Sequence, residues 1–199
     1  MTVAEVVGLA ATAVFLCELI PQPLRILRTR SLSGLSPIGT GIYFVTELGW
    51  VSYGITSGLV VVLLTALAAT VLSGLQLALL WSRRGPNDLW WMLLWATGLA
   101  ASLVMGAIGA MLVLGLVIGL GPQAWAAWRS SSVSGVSLWR WVLSGTSGML
   151  WCTYGVLMGE FPLMATGSVG MVCASLALSR LVGEQMKRRR VEANTPRGI

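Results

Sequence analysis

The sequence predicts an all-α membrane protein with seven transmembrane helices in a 3+1+3 arrangement, and three observations support this fold class. Of the 199 residues, 56% are hydrophobic and only 10% are charged, a composition typical of membrane proteins rather than soluble domains. The apolar residues fall into seven segments of roughly 20 residues, the length that a helix needs to cross a bilayer. The segments of the first half also return in the second half.

The seven candidate spans follow one another with short connections, which indicates tightly packed neighbours. The first is predicted to be retained, because no Lys or Arg precedes it and Glu5 stands where a signal peptide would carry its basic region. With a tolerance of about 2–4 residues at each end, we place the spans at residues 4–24, 36–56, 58–82, 89–106, 108–128, 138–158 and 161–182.

The basic residues predict the orientation, because Lys and Arg concentrate in short cytoplasmic loops. Here every loop that carries basic residues follows an odd-numbered span. These residues are Arg25, Arg28, Arg30, Arg83, Arg84, Arg129, Arg140 and those after span seven. This alternation predicts an N-terminus outside and a cytoplasmic C-terminus in a multi-pass protein of the plasma (inner) membrane. The net charge of +6 therefore indicates topology and contact with anionic lipid, and no nucleic-acid partner is expected.

A repeat at a constant offset of 101 residues organises the chain. Pro21-Gln22 recurs as Pro122-Gln123, Ser33-Gly34 as Ser134-Gly135, Trp50 as Trp151, Tyr53-Gly54 as Tyr154-Gly155, and Thr65 as Thr166. Spans one to three thus match spans five to seven, and span four restores the starting orientation. The predicted units are a first repeat over 1–83, a linker helix over 84–107, a second repeat over 108–182 and a basic tail over 183–199. Parallel repeats of this kind occur in transporters, with solute bound between the halves.

These motifs resemble the PQ-loop superfamily and, within it, the SWEET sugar transporters. The resemblance covers both repeats and is carried by the Pro-Gln pairs, the loop over 29–36 and the duplicated Trp-x-x-Tyr-Gly. It implies alternating access around a central cavity, with the helices that contain Pro21, Gln22, Pro122 and Gln123 bending to open the cytoplasmic side. Proline removes a backbone donor and kinks a helix, so a static kink is the alternative.

The resemblance also implies a solute site, because SWEET-like proteins line it with a tryptophan on the second helix and an asparagine on the third. Trp50 and Trp151 correspond to the tryptophan, and packing between helices is their alternative role. The asparagine positions hold Ala66 and Gly167, so either neighbouring hydroxyls replace the amide or the substrate differs. Those hydroxyls belong to Thr65 and Thr166. Tyr53 and Tyr154 resemble the family's extracellular gate, although interfacial tyrosines also serve as anchors.

Two acidic residues, Glu18 and Glu47, lie inside spans one and two, where an ionised carboxylate is costly and usually faces a cavity or a partner. Their repeat counterparts are Gly119 and Gly148, so neither belongs to the repeated pattern. Because burial disfavours the charged form, either acid could carry a proton during transport, or could instead link neighbouring helices. The other acids, Glu160 among them, are expected to be solvated.

The leading interpretation is an alternating-access facilitator of sugars or similar polyols. The first alternative is a proton-coupled carrier of an amino acid or another polar metabolite, and the second is a non-transporting membrane receptor or adaptor. An enzyme, a cofactor and a metal site are not expected, since the chain has no histidine and its three cysteines lack CxxC spacing. Association into a homo-oligomer is left open.

Overall fold

The computed structural model describes residues 1–29, 36–81, 88–129 and 138–194, and these residues form helices without any strand. The all-α prediction is therefore confirmed. The eight described helices are α1 (Val3–Leu19), α2 (Pro21–Thr29), α3 (Pro37–Thr56), α4 (Val60–Leu80), α5 (Asp88–Val104), α6 (Ile108–Arg129), α7 (Leu138–Met158) and α8 (Phe161–Asn194).

Polar side chains cap the N-termini of α1 and α3. Thr2 and Glu5 form a capping box, in which the Thr2 hydroxyl accepts from the Glu5 amide at 3.2 Å and the Glu5 carboxylate accepts from the Thr2 amide at 2.7 Å. Ser36 caps α3 by accepting from the Gly39 amide at 3.1 Å, and Pro37 takes the first helical position. Both arrangements satisfy backbone donors that a helix start leaves open.

The first predicted span is interrupted, because α1 ends at Leu19 and α2 begins at Pro21. Pro21 and Pro23 each lack the N–H that would continue the helical ladder. The second repeat carries Pro122 but has Ala124 in place of Pro23, and α6 runs through this site to Arg129 unbroken. A duplicated motif therefore interrupts the hydrogen-bond ladder in one repeat only, and Ile20 between the two helices keeps right-handed helical dihedral angles of −59° and −39°.

The remaining helix ends lie within two residues of the predicted ones, except that α8 continues to Asn194. The predicted tail over 183–199 is thus helical as far as the structure describes it. Several predicted features lie outside the described residues: Arg30, Arg83, Arg84, Ser33-Gly34 and Ser134-Gly135. The count of seven membrane crossings and their orientation stay predictions.

The sequence repeat is also visible in the turns after α3 and α7. Gly58 and Gly159 occupy equivalent positions with φ of +68° and +71°, a region that glycine enters without the steric cost of a Cβ. The Leu59 amide donates to the Gly54 carbonyl at 2.9 Å, and the equivalent Glu160 amide donates to the Gly155 carbonyl at 2.8 Å. The turns between α3 and α4 and between α7 and α8 therefore have the same backbone conformation.

The two repeats pack against each other through α1 with α7 and α3 with α6, while α5 packs on α3 and α6. Hydroxyl groups join several of these helices. Thr12 of α1 and Thr65 of α4 share a hydrogen bond of 2.6 Å. The indole N–H of Trp95 on α5 donates to the Thr46 hydroxyl on α3 at 2.9 Å. The linker helix is thereby attached to the first repeat.

Two of the described helical segments are long and apolar enough to cross a membrane by length and composition, Val60–Leu80 and Phe161–Gly183, while Leu89–Val104 and Ile108–Gly121 are apolar but shorter. Large apolar side chains also cover the outside of the bundle. Examples are Val71, Trp90 and Val104, which are exposed by 70%, 72% and 88%. Apolar surface on this scale is typical of a lipid-facing exterior.

Candidate functional site

The candidate site lies between the two repeats, and the helix bundle around it has two different ends. We call the end that carries the turns after α3 and α7 the tyrosine end. The end that carries Pro21 and Pro122 is the proline end. The predicted orientation puts the tyrosine end outside.

The two predicted solute-contacting tryptophans have equivalent surroundings in the structure. The rings of Trp50 and Tyr53 meet edge to face with centroids 5.6 Å apart and an interplanar angle of 90°. Trp151 and Tyr154 repeat this contact at 5.8 Å and 79°. Edge-to-face contact is a favoured aromatic geometry, and both tryptophans are half-buried beside the main apolar cluster. Their contact with a solute stays a prediction.

The tyrosine end is closed by side chains from both repeats. Tyr53 and Tyr154 are only 6% and 3% exposed and belong to one buried cluster that also contains Val61. The Tyr154 ring lies so close to Gly8 of α1 that a Cβ there would be 2.9 Å from a ring carbon. The second buried cluster of described residues comes from the second repeat alone. The buried apolar cluster that joins the two repeats therefore includes the tyrosine end.

A hydrogen bond between the repeats accompanies this closure. The Tyr53 hydroxyl donates to the carboxylate of Glu160, which directly precedes α8, and the Ser57 hydroxyl is a second partner of the phenol. Glu160, which the sequence analysis expects to be solvated, is half-buried and bonded to Tyr53. The signal that could have found it is its one-sidedness, because the repeat-equivalent residue is Leu59.

The other predicted contact residues lie against neighbouring helices. Thr65 and Thr166 are 4% and 8% exposed, and their hydroxyls donate to carbonyls of their own helices at 2.7 and 2.8 Å. Ala66 is 3% exposed. A Cβ on Gly167 would lie 2.5 Å from both the Cys152 nitrogen and the Gly148 oxygen. The role of these four positions in solute contact stays a prediction.

The two acids of the first two predicted spans come together in one polar cluster between the repeats. Glu47 is 4% exposed and has the Tyr43 hydroxyl as its side-chain partner. Glu18 has the Ser144 hydroxyl as a partner and interacts with the charge of Arg140, both on α7. Tyr43 lies near both acids, which connects the two pairs. Arg140, interpreted from the sequence as a topology signal, therefore also belongs to this cluster.

Comparison with known proteins identifies the fold. A family model described as "PQ loop repeat" matches residues 3–63, which include α1, α2 and α3. The structure is similar to "The 3.7 A resolution structure of a eukaryotic SWEET transporter", with a TM-score of 0.75 and 15% identity over 92% of this chain and 97% of that chain. Residues 3–63 therefore match a PQ-loop repeat, and the fold of the chain is SWEET-like. No curated protein sequence matches it.

The PQ-loop and SWEET-like resemblance drawn from the motifs is thus confirmed for the repeat and the fold, and it supports an integral, multi-pass membrane protein. The structure describes the predicted hinge residues only in part. Pro21 is exposed and Pro23 is buried at the start of α2, whereas the side chains of Gln22, Pro122 and Gln123 lie outside the described residues. Their gating role stays a prediction.

Proposed function

We propose that this chain is an alternating-access facilitator that moves a small, neutral, polyhydroxylated solute, a sugar in the first place, across the bilayer. The observation that carries the proposal is the matched pair of Trp50 and Trp151, each held edge to face by a tyrosine. An indole face suits the apolar face of a pyranose ring. Two such faces, one from each parallel repeat, can hold one solute between the halves.

The contacts at the two ends support alternating access. Opening the tyrosine end requires the bond from Tyr53 to Glu160 to break and Tyr154 to leave Gly8. At the proline end, the break between α1 and α2 provides a joint at which α2 can move without unfolding α1. A short helix whose ladder is already interrupted costs less to reorient than a continuous one.

The proton-coupled carrier remains the second candidate, and the polar cluster favours it. Glu47 is almost fully buried, and Glu18 interacts with the charge of Arg140 across the repeat interface. An ionised carboxylate in a membrane is expensive unless it is paired. A proton bound by one of these acids could therefore accompany an amino acid or another polar metabolite. This candidate requires uptake driven by a pH gradient, which a facilitator does not.

Uptake into liposomes containing the purified protein tests the proposal with a panel of sugars and amino acids, with and without a pH gradient. We expect sugar uptake that ignores the gradient. Trp50→Ala and Trp151→Ala each remove an aromatic contact of about 0.5–1.5 kcal/mol, so apparent affinity should fall up to about tenfold.

Trp125→Ala is the matched control, because Trp125 stacks on Trp128 at the proline end. Its uptake should equal that of the wild type. Wild-type sugar uptake by both Trp50→Ala and Trp151→Ala would refute the proposed site. Accumulation of a solute only under a pH gradient would favour the proton-coupled carrier instead.

A further inference from the structure

The tyrosine end contains a cavity that the proposed central site does not use. Its volume is about 470 Å³, within the range of about 300–1,000 Å³ typical of small-molecule sites. It lies where the ends of α3 and α5 meet the starts of α6 and α8, and its polar wall consists of Tyr53, Thr56, Ser57 and Glu160. We call this cavity the vestibule.

The vestibule wall has unused hydrogen-bonding capacity. A carboxylate offers two oxygens with about four acceptor positions, and the Tyr53 hydroxyl is the partner described for Glu160. The hydroxyls of Thr56 and Ser57 lie on the exposed side of the same wall. The Thr56 hydroxyl donates to backbone carbonyls of α3 at 3.0 and 3.2 Å, so its lone pairs can still accept. One anionic acceptor thus stands among neutral hydroxyls.

This chemistry suits a neutral solute with neighbouring hydroxyl groups. Two adjacent hydroxyls can donate to the two oxygens of one carboxylate, and such charge-assisted hydrogen bonds are stronger than neutral ones. We propose that the vestibule is a first binding site for the transported polyol, in which two solute hydroxyls bond to the two oxygens of Glu160 and compete there with the Tyr53 hydroxyl. This inference rests on the proposed function and adds to it a second, peripheral solute site.

Binding in the vestibule has a mechanical consequence. The bond from Tyr53 to Glu160 joins the first repeat to the second. A solute that takes the carboxylate releases the phenol, and the two repeats lose that connection at the tyrosine end. Solute arrival would therefore favour opening of the same end, because a ligand shifts an equilibrium towards the state it binds better.

The vestibule wall differs from the corresponding part of the other repeat, and the repeat-equivalent residues therefore provide control positions. The residue equivalent to Glu160 is Leu59, and the equivalent tyrosine, Tyr154, packs on Gly8 and Val61 instead. The residue equivalent to Thr56 is Leu157, which is 48% exposed and does not line the vestibule. A probe at Leu157 therefore occupies the same helical position without the carboxylate.

Solute protection of a cysteine in the vestibule tests the inference. The native cysteines of the full chain are first removed by Cys17→Ser, Cys152→Ser and Cys173→Ala, and Thr56→Cys is then added as the probe. The protein is placed in lipid nanodiscs, so that reagents reach it from both sides of the membrane. The rate of modification by a small uncharged maleimide is measured with and without glucose. We expect glucose to slow modification at least fivefold. Leu157→Cys, in place of Thr56→Cys, should react at the same rate with and without glucose.

Two second-site variants separate the vestibule from the central site. Glu160→Gln keeps an oxygen that can accept from Tyr53 but removes the charge and the second acceptor oxygen, so glucose protection of Thr56→Cys should be lost. Trp151→Ala weakens the central site, and because Trp151 contacts Tyr154 and not Tyr53, it should leave the protection intact. Unchanged protection in Glu160→Gln, or loss of protection in Trp151→Ala, would overturn the inference. Protection by choline in place of glucose would do so as well, since it would indicate a cation site.

Parallel uptake of glucose into liposomes distinguishes the two proposals. Uptake without protection refutes the vestibule site and leaves the transport function standing. Protection without uptake supports the vestibule as a binding site and refutes the proposed transport of sugar. The absence of both refutes both.

Discussion

The close approach of α7 and α8 makes a quantitative prediction at Gly167. An alanine there would put its Cβ 2.5 Å from two backbone atoms, the Cys152 nitrogen and the Gly148 oxygen. Backbone cannot rotate away as a side chain does, so we expect the upper part of the about 1–3 kcal/mol that overpacking costs. Alanine regains about 0.5–1 kcal/mol over glycine in a helix, which leaves a net loss of roughly 1–2.5 kcal/mol. For a chain of this size, the melting temperature should fall by roughly 2–10 °C.

The assay is thermal unfolding of the detergent-solubilised protein at one fixed heating rate, followed by tryptophan fluorescence. Gly183→Ala on the same helix is the control, because nothing lies within 4 Å of its added Cβ. That variant should melt at the wild-type temperature or a few degrees above it. A Gly167→Ala protein that melts as high as Gly183→Ala would show that α7 and α8 are further apart than described, and the reasoning would fail.

Two further predictions concern the transport cycle. Pro21→Ala should slow transport more than it weakens solute binding. The effect should exceed that of Pro122→Ala, because the helical hydrogen-bond ladder is interrupted only in the first repeat. A comparison of uptake rate with equilibrium binding checks this, and equal transport rates in Pro21→Ala and the wild type would remove the hinge role. Glu47→Gln keeps a side chain that can bond to Tyr43 but cannot release a proton. Gradient-independent sugar uptake should therefore persist in it, whereas loss of gradient-driven accumulation would identify Glu47 as a proton carrier.

Local sequence determined much of this protein, because the relevant signals act over a few residues. Apolar segment length places α3 to α7 within two residues of their observed ends. Glycine at positions 58 and 159 allows the left-handed conformation of both turns. The 101-residue repeat also predicts that Trp50 and Trp151 have equivalent surroundings, as their matching tyrosine contacts demonstrate.

Other features depend on tertiary structure, because they join residues that are far apart in the sequence. The pairing of Tyr53 with Glu160 and the association of Glu18 with Arg140 follow from how the packed helices are rotated about their axes. The repeat also does not reveal that α1 and α2 are separate while α6 is continuous. The same Pro-Gln pair stands in both repeats, and the outcome depends on the neighbouring residue and on the helices packed around it. Sequence alone thus determined the elements and their symmetry, whereas the tertiary structure decided where that symmetry is broken.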